Sequence, residues 1–351
     1  MAYATINDPS EHFGTILYTG TGTTGHPVVG VNFQPDWVWI KNKASGKDHV
    51  IIDSSRGVTK QMHTNNTNTE STVSGLTSFN SNGFTLGSDG GANARSGAHV
   101  AWNWKANGGT TTTNDASSTG VGTIDSVYQA NTTAGFSIVT YTGTNAAGTI
   151  AHGLGAVPDW IITKNRVSAN SWAIYHSANT SAPETDFLLL NTDAATVDNA
   201  NRWNDVAPTS TVFSVKQSAE TNNSDNSDTF VAYCFTEIQG YRKFGKYVGN
   251  ANADGPFIYT GFQPAWVMVK QTTTTNRDWR IVDNARDTFN VRDSYFRVDT
   301  TAVETVYSGV EMDFLSNGFK LRGSEQVVND SSHTFIYLAF AKQPFKYSNA
   351  A

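Results

Sequence analysis

Large apolar residues alternate with small or polar ones in the last strand predicted for each of three related stretches of the chain. A period of two residues is typical of a β-strand, because successive side chains point to opposite faces of the sheet. The large set consists of Val100, Trp102, Trp104, Val231, Tyr233, Phe235, Ile336, Leu338 and Phe340. We expect this face to close a separate hydrophobic core in each of three β-sandwiches.

A second pattern, a proline followed by an aromatic and β-branched run, also occurs three times. Its copies are residues 33–43, 157–166 and 262–270. Proline cannot donate to a β-ladder, so it marks the entrance of a strand, and the residues after it suit a partly buried, pleated surface. Trp37, Trp160 and Trp266 hold one column of the repeat and are predicted core residues. The polar ends of these strands, beginning at Lys41 and Lys164, are expected to return the chain to water.

These patterns predict an all-β chain of three tandem, diverged β-sandwich (jelly-roll-like) domains with little helix. The 351 residues are too many for one ordinary core and suit two or three. The predicted division is an N-terminal arm at 1–12, repeat 1 at 13–106, a Gly-, Thr- and Ser-rich linker at 107–135, repeat 2 at 136–242 and repeat 3 at 243–351. The short join between repeats 2 and 3 predicts that these two repeats pack against each other.

Composition and charge exclude several classes of protein. The net charge of −6 and the lack of a basic stripe argue against a nucleic-acid partner. A single cysteine, Cys234, excludes an intrachain disulfide framework and a multi-cysteine metal site, and its place in a predicted strand makes it a small packing residue. No apolar run has membrane-spanning length and no signal pattern begins the chain. The sequence therefore predicts a soluble protein made in a cytoplasm, with no membrane insertion.

Motifs for catalysis are missing from the sequence. There is no Gly-x-Ser-x-Gly elbow, no His-Glu-x-x-His pair and no phosphate-binding loop with its Lys-Ser/Thr. The eight histidines are scattered, without a partner at ligand spacing that recurs between repeats. We therefore predict no catalytic residue, no cofactor and no metal site, and we do not expect an enzyme.

Four residues are candidates for contact with a ligand or glycan. Asp36 and Asp159 stand in Pro-Asp-Trp turns, where a carboxylate either meets a metal or sugar or bonds nearby backbone N–H groups. We favour the turn interpretation, since such turns are common; Ala265 takes this place in repeat 3. Trp39 and Trp203 are the candidates for exposed aromatics that stack on sugar rings.

Four segments of the sequence together carry a resemblance to a known family. They are residues 33–43, 135–143, 152–160 and 316–322. They resemble virion structural proteins of tailed bacteriophages, particularly the tail-fibre-like proteins of marine and cyanobacterial phages. The resemblance runs from Phe13 to Phe345 and implies a non-enzymatic role on the particle, with no established catalytic residues to transfer. Ala265 departs from the repeated phrase.

From this resemblance we expect a tail fibre, spike or receptor-binding subunit for host attachment. It would be made in the host cytoplasm and exposed on the virion, as a homo-oligomer with a trimer favoured. Its partners would be other virion proteins and a host-surface glycan or protein, met through the variable loops 60–72 and 192–206. The alternative within this class is a capsid decoration protein. The alternative of another class is a carbohydrate-binding module or polysaccharide depolymerase, which requires an aromatic platform or two facing carboxylates.

Overall fold

The computed structural model describes residues 4–344 apart from residues 224 and 311. The expectations for residues 1–3 of the arm and residues 345–351 of repeat 3 lie outside the described residues. The chain is nearly all β, with 43% strand and 5% helix arranged in antiparallel sheets, which confirms the all-β fold class. Short 3₁₀ turns occur at Pro9–Glu11, Pro183–Thr185, Asp225–Ser227 and Ser308–Val310.

Repeat 1 consists of a large sheet and a small sheet. Its strands are β1 (Phe13–Thr19), β2 (His26–Val29), β3 (Trp37–Asn42), β4 (Val50–Asp53), β5 (Lys60–His63), β6 (Ser71–Thr72), β7 (Leu76–Asn80), β8 (Gly83–Leu86) and β9 (Ala98–Trp104). The large sheet has the order β1-β9-β3-β4-β5-β6 and the small sheet the order β2-β8-β7. The last strand therefore lies between the first and the third.

The segment 107–135, expected as a linker, instead carries regular structure. It contains β10 (Thr112–Asn114), α1 (Ala116–Thr119) and β11 (Ser126–Asn131). Asp115 caps the single turn of α1 by accepting from the N–H groups of Ser117 and Ser118, and Gly120 ends it with φ at 68°. The Thr- and Val-containing parts of this segment have the β-propensity to extend a sheet, and β11 and β10 add two strands beyond Phe136–Thr142, with β10 at the edge.

Repeat 2 repeats the arrangement of repeat 1 with fewer strands in the small sheet. Its strands are β12 (Phe136–Thr142), β13 (Gly148–Ala151), β14 (Trp160–Asn165), β15 (Ala173–His176), β16 (Asp186–Leu189), β17 (Val197–Asp198), β18 (Val212–Val215) and β19 (Thr229–Phe235). The large sheet has the order β10-β11-β12-β19-β14-β15-β16-β17, and β13 pairs with β18.

Repeat 3 has the same strand order as repeat 1. Its elements are β20 (Arg242–Val248), β21 (Phe257–Tyr259), β22 (Phe262–Gln271), β23 (Arg280–Asp283), β24 (Ser294–Arg297), β25 (Thr305–Val306), β26 (Met312–Leu315), β27 (Gly318–Leu321), α2 (Gln326–Asn329) and β28 (Thr334–Pro344). The sheets are β20-β28-β22-β23-β24-β25 and β21-β27-β26. Positions in β3, β14 and β22, or in β9, β19 and β28, therefore correspond between repeats.

Each large sheet has one face with large side chains and one with smaller side chains, and the small sheet of the same repeat covers the face with the smaller ones. In repeat 1, Val38 and Ala101 of the large sheet pack with Val28 and Phe84 of the small sheet. In repeat 2 the corresponding layer includes Cys234, which is fully buried. Small and β-branched side chains suit this position, because the two sheets of one repeat lie close together.

The larger face of each large sheet packs against the other two repeats, so the expectation of three separate cores closed by these residues is wrong. The ring centroids of Trp37 and Tyr233 lie 4.8 Å apart, those of Trp104 and Phe340 5.6 Å, and those of Phe235 and Phe340 6.1 Å. One cluster holds Trp37, Trp160, Trp266, Trp102, Trp104, Tyr233, Phe235, Leu338 and Phe340, all buried. Aromatic residues on three sheets fill a common centre that no two-layer sandwich contains. The division into three separate sandwich domains stays a prediction.

The described part of the N-terminal arm packs on this body. Ile6 is buried in the central cluster, and the His12 ring lies 5.9 Å from that of Tyr241. The backbone carbonyl of His12 also accepts from the N–H of Lys105 at 3.0 Å. The arm thus joins repeat 1 to the end of repeat 2.

Candidate functional site

The repeats meet in a ring, at interfaces that we call seam 1–2, seam 2–3 and seam 3–1 after the repeats they join. Each seam contains the same backbone hydrogen bond, from a residue after the fifth strand of one repeat to the end of the third strand of the next. The bonds run from Glu70 N to Arg166 O at 2.9 Å, from Thr196 N to Thr272 O at 2.9 Å and from Glu304 N to Lys43 O at 3.0 Å. A head-to-tail contact that closes after three copies is the geometry of a cyclic trimer, here formed within one chain.

Seam 1–2 buries an ion pair and its partners. Arg56 Nε lies 2.5 Å from Asp53 Oδ2, and neither side chain is exposed. The Tyr233 hydroxyl of repeat 2 donates to the same carboxylate at 2.7 Å. The pair is therefore hydrogen-bonded on both sides of the seam, as a buried charge requires.

Glu70 extends this network towards the surface. Its carboxylate lies 2.9 Å from Arg56 Nη1 and accepts two bonds from Arg166, at 2.9 Å and 3.0 Å. Burial alone would raise the pKa of Glu70, but the guanidinium groups of Arg166 and Arg56 outweigh it and hold that pKa below its usual value. Glu70 is thus an ionised bridge between repeats 1 and 2.

Seam 3–1 repeats this network with two changes of donor, Trp102 for Tyr233 and Lys43 for Arg166. Arg286 Nε lies 2.5 Å from Asp283 Oδ2, and both side chains are fully buried. The donor from the facing strand is the indole Nε1 of Trp102, at 3.0 Å. Glu304 bridges Arg286 at 2.9 Å and Lys43 at 3.1 Å.

Seam 2–3 is built from neutral groups at the same positions. His176 replaces the aspartate, and Asn179 replaces the arginine. His176 Nε2 lies 3.2 Å from the Tyr337 carbonyl, and its Nδ1 accepts from a backbone N–H, so the ring is neutral with the proton on Nε2. Burial lowers the pKa of His176 to about 4. Thr196 donates to Asn179 Oδ1 at 2.7 Å and completes the seam.

A buried lysine spans each seam, so the expectation that these strand ends return the chain to water is wrong. Lys41, Lys164 and Lys270 are fully buried, and burial lowers the pKa of each to about 8. Across the seams, Lys41 Nζ donates to Thr301 O at 3.1 Å, Lys164 Nζ to Thr67 O at 3.2 Å and Lys270 Nζ to Asp193 O at 3.4 Å. Their ammonium groups satisfy loop carbonyls of the neighbouring repeat.

Both candidate aspartates lie in hydrogen-bonded turns. Asp36 is fully buried and accepts from Ser54 Oγ at 2.7 Å and from the N–H groups of Ala106, Gly108 and Gly109 at 2.8–2.9 Å. Burial raises the pKa of Asp36, although these bonds oppose the shift. Asp159, which is half-buried, accepts from a serine hydroxyl at 3.0 Å and a backbone N–H at 2.7 Å. The backbone N–H donors lie 70 to 78 residues further along the chain, so each carboxylate ties distant segments together instead of bonding within its own turn.

Both candidate surface tryptophans are interior residues, so their expected exposure is wrong. Trp39 is fully buried and donates from Nε1 to His49 Nδ1 at 2.9 Å. Trp203 is 2% exposed and packs edge-on to Tyr175 at 6.0 Å inside repeat 2. Their large apolar area gives more stability in the core than at the surface, and single-residue sequence context does not reveal that choice.

The variable loops 60–72 and 192–206 contact other repeats of the same chain. Glu70 and Thr67 of the first loop bind repeat 2, and Thr64 Oγ1 donates to a carbonyl of repeat 3 at 3.2 Å. Thr196 of the second loop binds repeat 3. The sequence variability of these loops suggested contacts with external partners, but several of their polar groups bind other repeats within the ring.

The described residues contain no group of three or more His, Cys, Asp or Glu side chains arranged to hold a metal ion. Among the same residues, no helix has both the length and the apolar character needed to span a bilayer.

Residues 8–344 match the family described as Domain of unknown function (DUF7483). The chain belongs to the DUF7483 family. No curated protein matches it. This match covers all three repeats, so the unit that the family describes is the whole ring.

The seam residues of this DUF7483 protein were missed by the sequence reasoning, although a signal for them exists. Asp53 and Arg56 in repeat 1 and Asp283 and Arg286 in repeat 3 share one Asp-x-x-Arg spacing directly after corresponding strands. Aligning the ends of the fourth strands would have revealed it. The exchange to His176 in repeat 2 hides the pattern from a search for a motif common to all three repeats.

Proposed function

We propose that this protein is a structural component of a tailed-phage virion and serves as a tail fibre, spike or receptor-binding subunit. The observation that carries the proposal is the closed ring, in which three seams bury the aromatic faces together with their polar networks. Such a body is stiff, because each repeat is held on two sides and loops are tied down by buried lysines and carboxylates. Stiff spacing elements with chemistry confined to the outer surface suit a particle-bound protein. The resemblance of the repeated phrases to tail-fibre-like proteins supports the same role.

The ring also bears on assembly. The threefold arrangement is present inside one chain, so burial of the tryptophan faces does not require a homotrimer. We propose that copies and other virion proteins join through the outer surfaces of the ring. A body with three related sides also matches a partner of threefold symmetry, because each side then meets an equivalent surface.

Location on purified particles tests the proposal. We expect mass spectrometry to find the protein in particles and immunogold labelling to place it at the tail, and we expect the purified protein to slow adsorption of particles to the host. Label spread over the shell would favour capsid decoration instead. Absence of the protein from particles would overturn the proposal. Release of reducing ends from host polysaccharide would replace it with an enzyme.

A further inference from the structure

Repeat 3 contains a pocket that its sister repeats lack the residues to form. It has a volume of about 320 Å³ and lies between β23, β24 and the segments around β25 and α2. Its polar and aromatic wall consists of Arg280, Arg297, Tyr295, Tyr307, Thr305 and Glu325. This size falls at the lower end of small-molecule sites, enough for one sugar ring and part of its neighbour.

Arg280 is a buried guanidinium where the fold needs none. The corresponding residues, Val50 in repeat 1 and Ala173 in repeat 2, belong to the apolar interiors of their sandwiches. Arg280 is only 4% exposed, and its Nη1 lies 2.7 Å from Asp278 Oδ2. Among the described residues, its Nε has no hydrogen-bond partner. Burying a charged group without full pairing is costly, so a role other than packing is indicated.

Arg297 adds a second guanidinium to the same wall. Leu189 and His63 take its place in the other repeats. Its Nε lies 3.5 Å from Asp278 Oδ2, outside hydrogen-bond geometry, and has no hydrogen-bond partner among the described residues. The Asp278 carboxylate is thus shared between the two arginines, and Asp299 also faces both of them. The Nε groups of Arg280 and Arg297 nevertheless stay without a partner among the described residues, which leaves donors for an acceptor from outside. Paired guanidinium groups recognise carboxylates well because their donors form a planar fork.

The aromatic side chains give this pocket a face for a ring. Tyr295 is buried and lies under Arg280, with 4.7 Å from the guanidinium carbon to the ring centroid. Tyr307 is 48% exposed at the opening. A partly exposed tyrosine beside polar groups can stack on the apolar face of a sugar.

We propose that this pocket binds a uronic acid residue of an acidic polysaccharide. The carboxylate accepts from Arg280 and Arg297, the sugar ring stacks on Tyr307, and sugar hydroxyls donate to Glu325. A fully ionised anion such as sulfate fits less well, because it meets the Glu325 carboxylate without a hydroxyl to donate to it. The meaning of this site as a receptor contact rests on the proposed function.

Binding of the purified full chain to tetramers of galacturonate, glucuronate and mannuronate tests the inference by calorimetry. We expect at least one tetramer to bind, and its methyl ester to bind at least about tenfold more weakly because the carboxylates are capped. Arg280→Val and Arg297→Leu install residues that repeats 1 and 2 carry at these positions, and each should weaken binding about tenfold or more. Tyr307→Ala should weaken it severalfold, whereas Tyr307→Phe keeps the ring and the affinity.

Arg95→Ala is the matched control, since Arg95 is an exposed arginine of repeat 1 outside the pocket. Thermal unfolding of each variant shows whether a loss of binding reflects a loss of fold, and the exposed Tyr307 supplies a variant that keeps the interior intact. Equal affinity in all variants, or no binding of any uronate tetramer, would overturn the inference. If the protein binds uronate but is absent from particles, only the proposed function is overturned. If the protein is present in particles but binds no uronate, only this site is overturned.

Discussion

The hydroxyl of Tyr233 donates a 2.7 Å hydrogen bond to Oδ2 of Asp53 across the seam between repeats 1 and 2. The indole of Trp102 does the same for Asp283 across the seam between repeats 3 and 1. A buried carboxylate therefore occurs at a seam where the facing strand offers a side-chain donor.

The third seam shows the converse. Leu338 occupies the corresponding place in repeat 3 and has no donor, and the position opposite is His176 rather than an aspartate. His176 uses the Tyr337 carbonyl instead. The two sides of each seam are thus matched in chemistry, because an unpaired buried carboxylate would cost several kcal/mol.

We expect Tyr233→Phe to lower the free energy of unfolding by about 1–3 kcal/mol, since the change removes a donor from a buried carboxylate. Urea denaturation measures the change. Tyr259→Phe is the control: this tyrosine is 58% exposed, and its change should fall within about 0.5 kcal/mol. Equal small effects of the two substitutions would contradict the importance of the seam bond.

Arg286→Met should destabilise the protein by about 3–5 kcal/mol, because it leaves Asp283 ionised and buried without its arginine. The double variant Asp283→Asn/Arg286→Met removes both charges and keeps an acceptor for Trp102. We expect it to cost less than Arg286→Met alone, as measured in the same unfolding assay. A double variant that loses as much as the sum of the two single changes would show that the charges do not act as a pair.

The buried lysines predict that stability increases with pH between about 8 and 10. Their pKa of about 8 in the folded chain lies below the value of about 10.4 for an unfolded chain, so the unfolded state binds more protons in this range. The free energy that the unfolded state gains from these protons decreases as pH rises, and the folded state becomes relatively more stable. Above this range, buried tyrosines such as Tyr141, whose pKa is raised by burial, act in the opposite direction.

Lys164→Met removes one of three such lysines, and we expect the slope of unfolding free energy against pH from 8 to 9.5 to fall by at least about one third. The loss exceeds one third because burial raises the pKa of Cys234, whose thiol therefore opposes the lysines in this range. The slope is the informative readout, since the substitution also changes packing at every pH. Lys246→Met is the control, because this lysine is exposed. An unchanged slope in Lys164→Met would mean that the lysine is protonated equally in both states.

Asp299 occupies a position where repeats 1 and 2 carry asparagine. Asn65 donates to Asp48 at 2.6 Å, and Asp299 faces the corresponding Asp278. Burial, and then the charge of Asp278, raise the pKa of Asp299 to about 7, with Arg280 opposing. The folded chain therefore holds a proton that the unfolded chain releases above about pH 4, and stability from this group falls as pH rises from 4 to 7.

We expect Asp299→Asn to remove this decline and to stabilise the protein at pH 7 by at least about 1 kcal/mol. The reason is that an amide N–H donates to Asp278 at any pH, whereas the carboxyl group of Asp299 must first take up a proton. The difference from the unsubstituted chain should grow between pH 4 and 7 in parallel denaturation series. Asp205→Asn, at an exposed site of repeat 2, provides the control. A difference that stays constant with pH would contradict a shared proton at this site.

Much of the fold could be read from local patterns. The all-β class followed from two-residue alternation and from proline-led strand entrances, and the Trp37, Trp160 and Trp266 column marked residues that are buried. The exposure of Trp39 and Trp203 and the free ends at Lys41 and Lys164 were predicted wrongly. Each error concerned a tertiary contact that the local strand pattern does not encode.

The sequence by itself determined that this protein has three related sets of strands, each with one large apolar face, because side-chain alternation is a local property of the strand. Only the tertiary structure decided what covers that face. Hydrophobic burial is non-directional, so an aromatic face is satisfied equally by its own small sheet or by two neighbouring repeats. In this structure the neighbouring repeats cover the apolar faces. That arrangement creates the seams, buries the lysines and brings Tyr233 to Asp53.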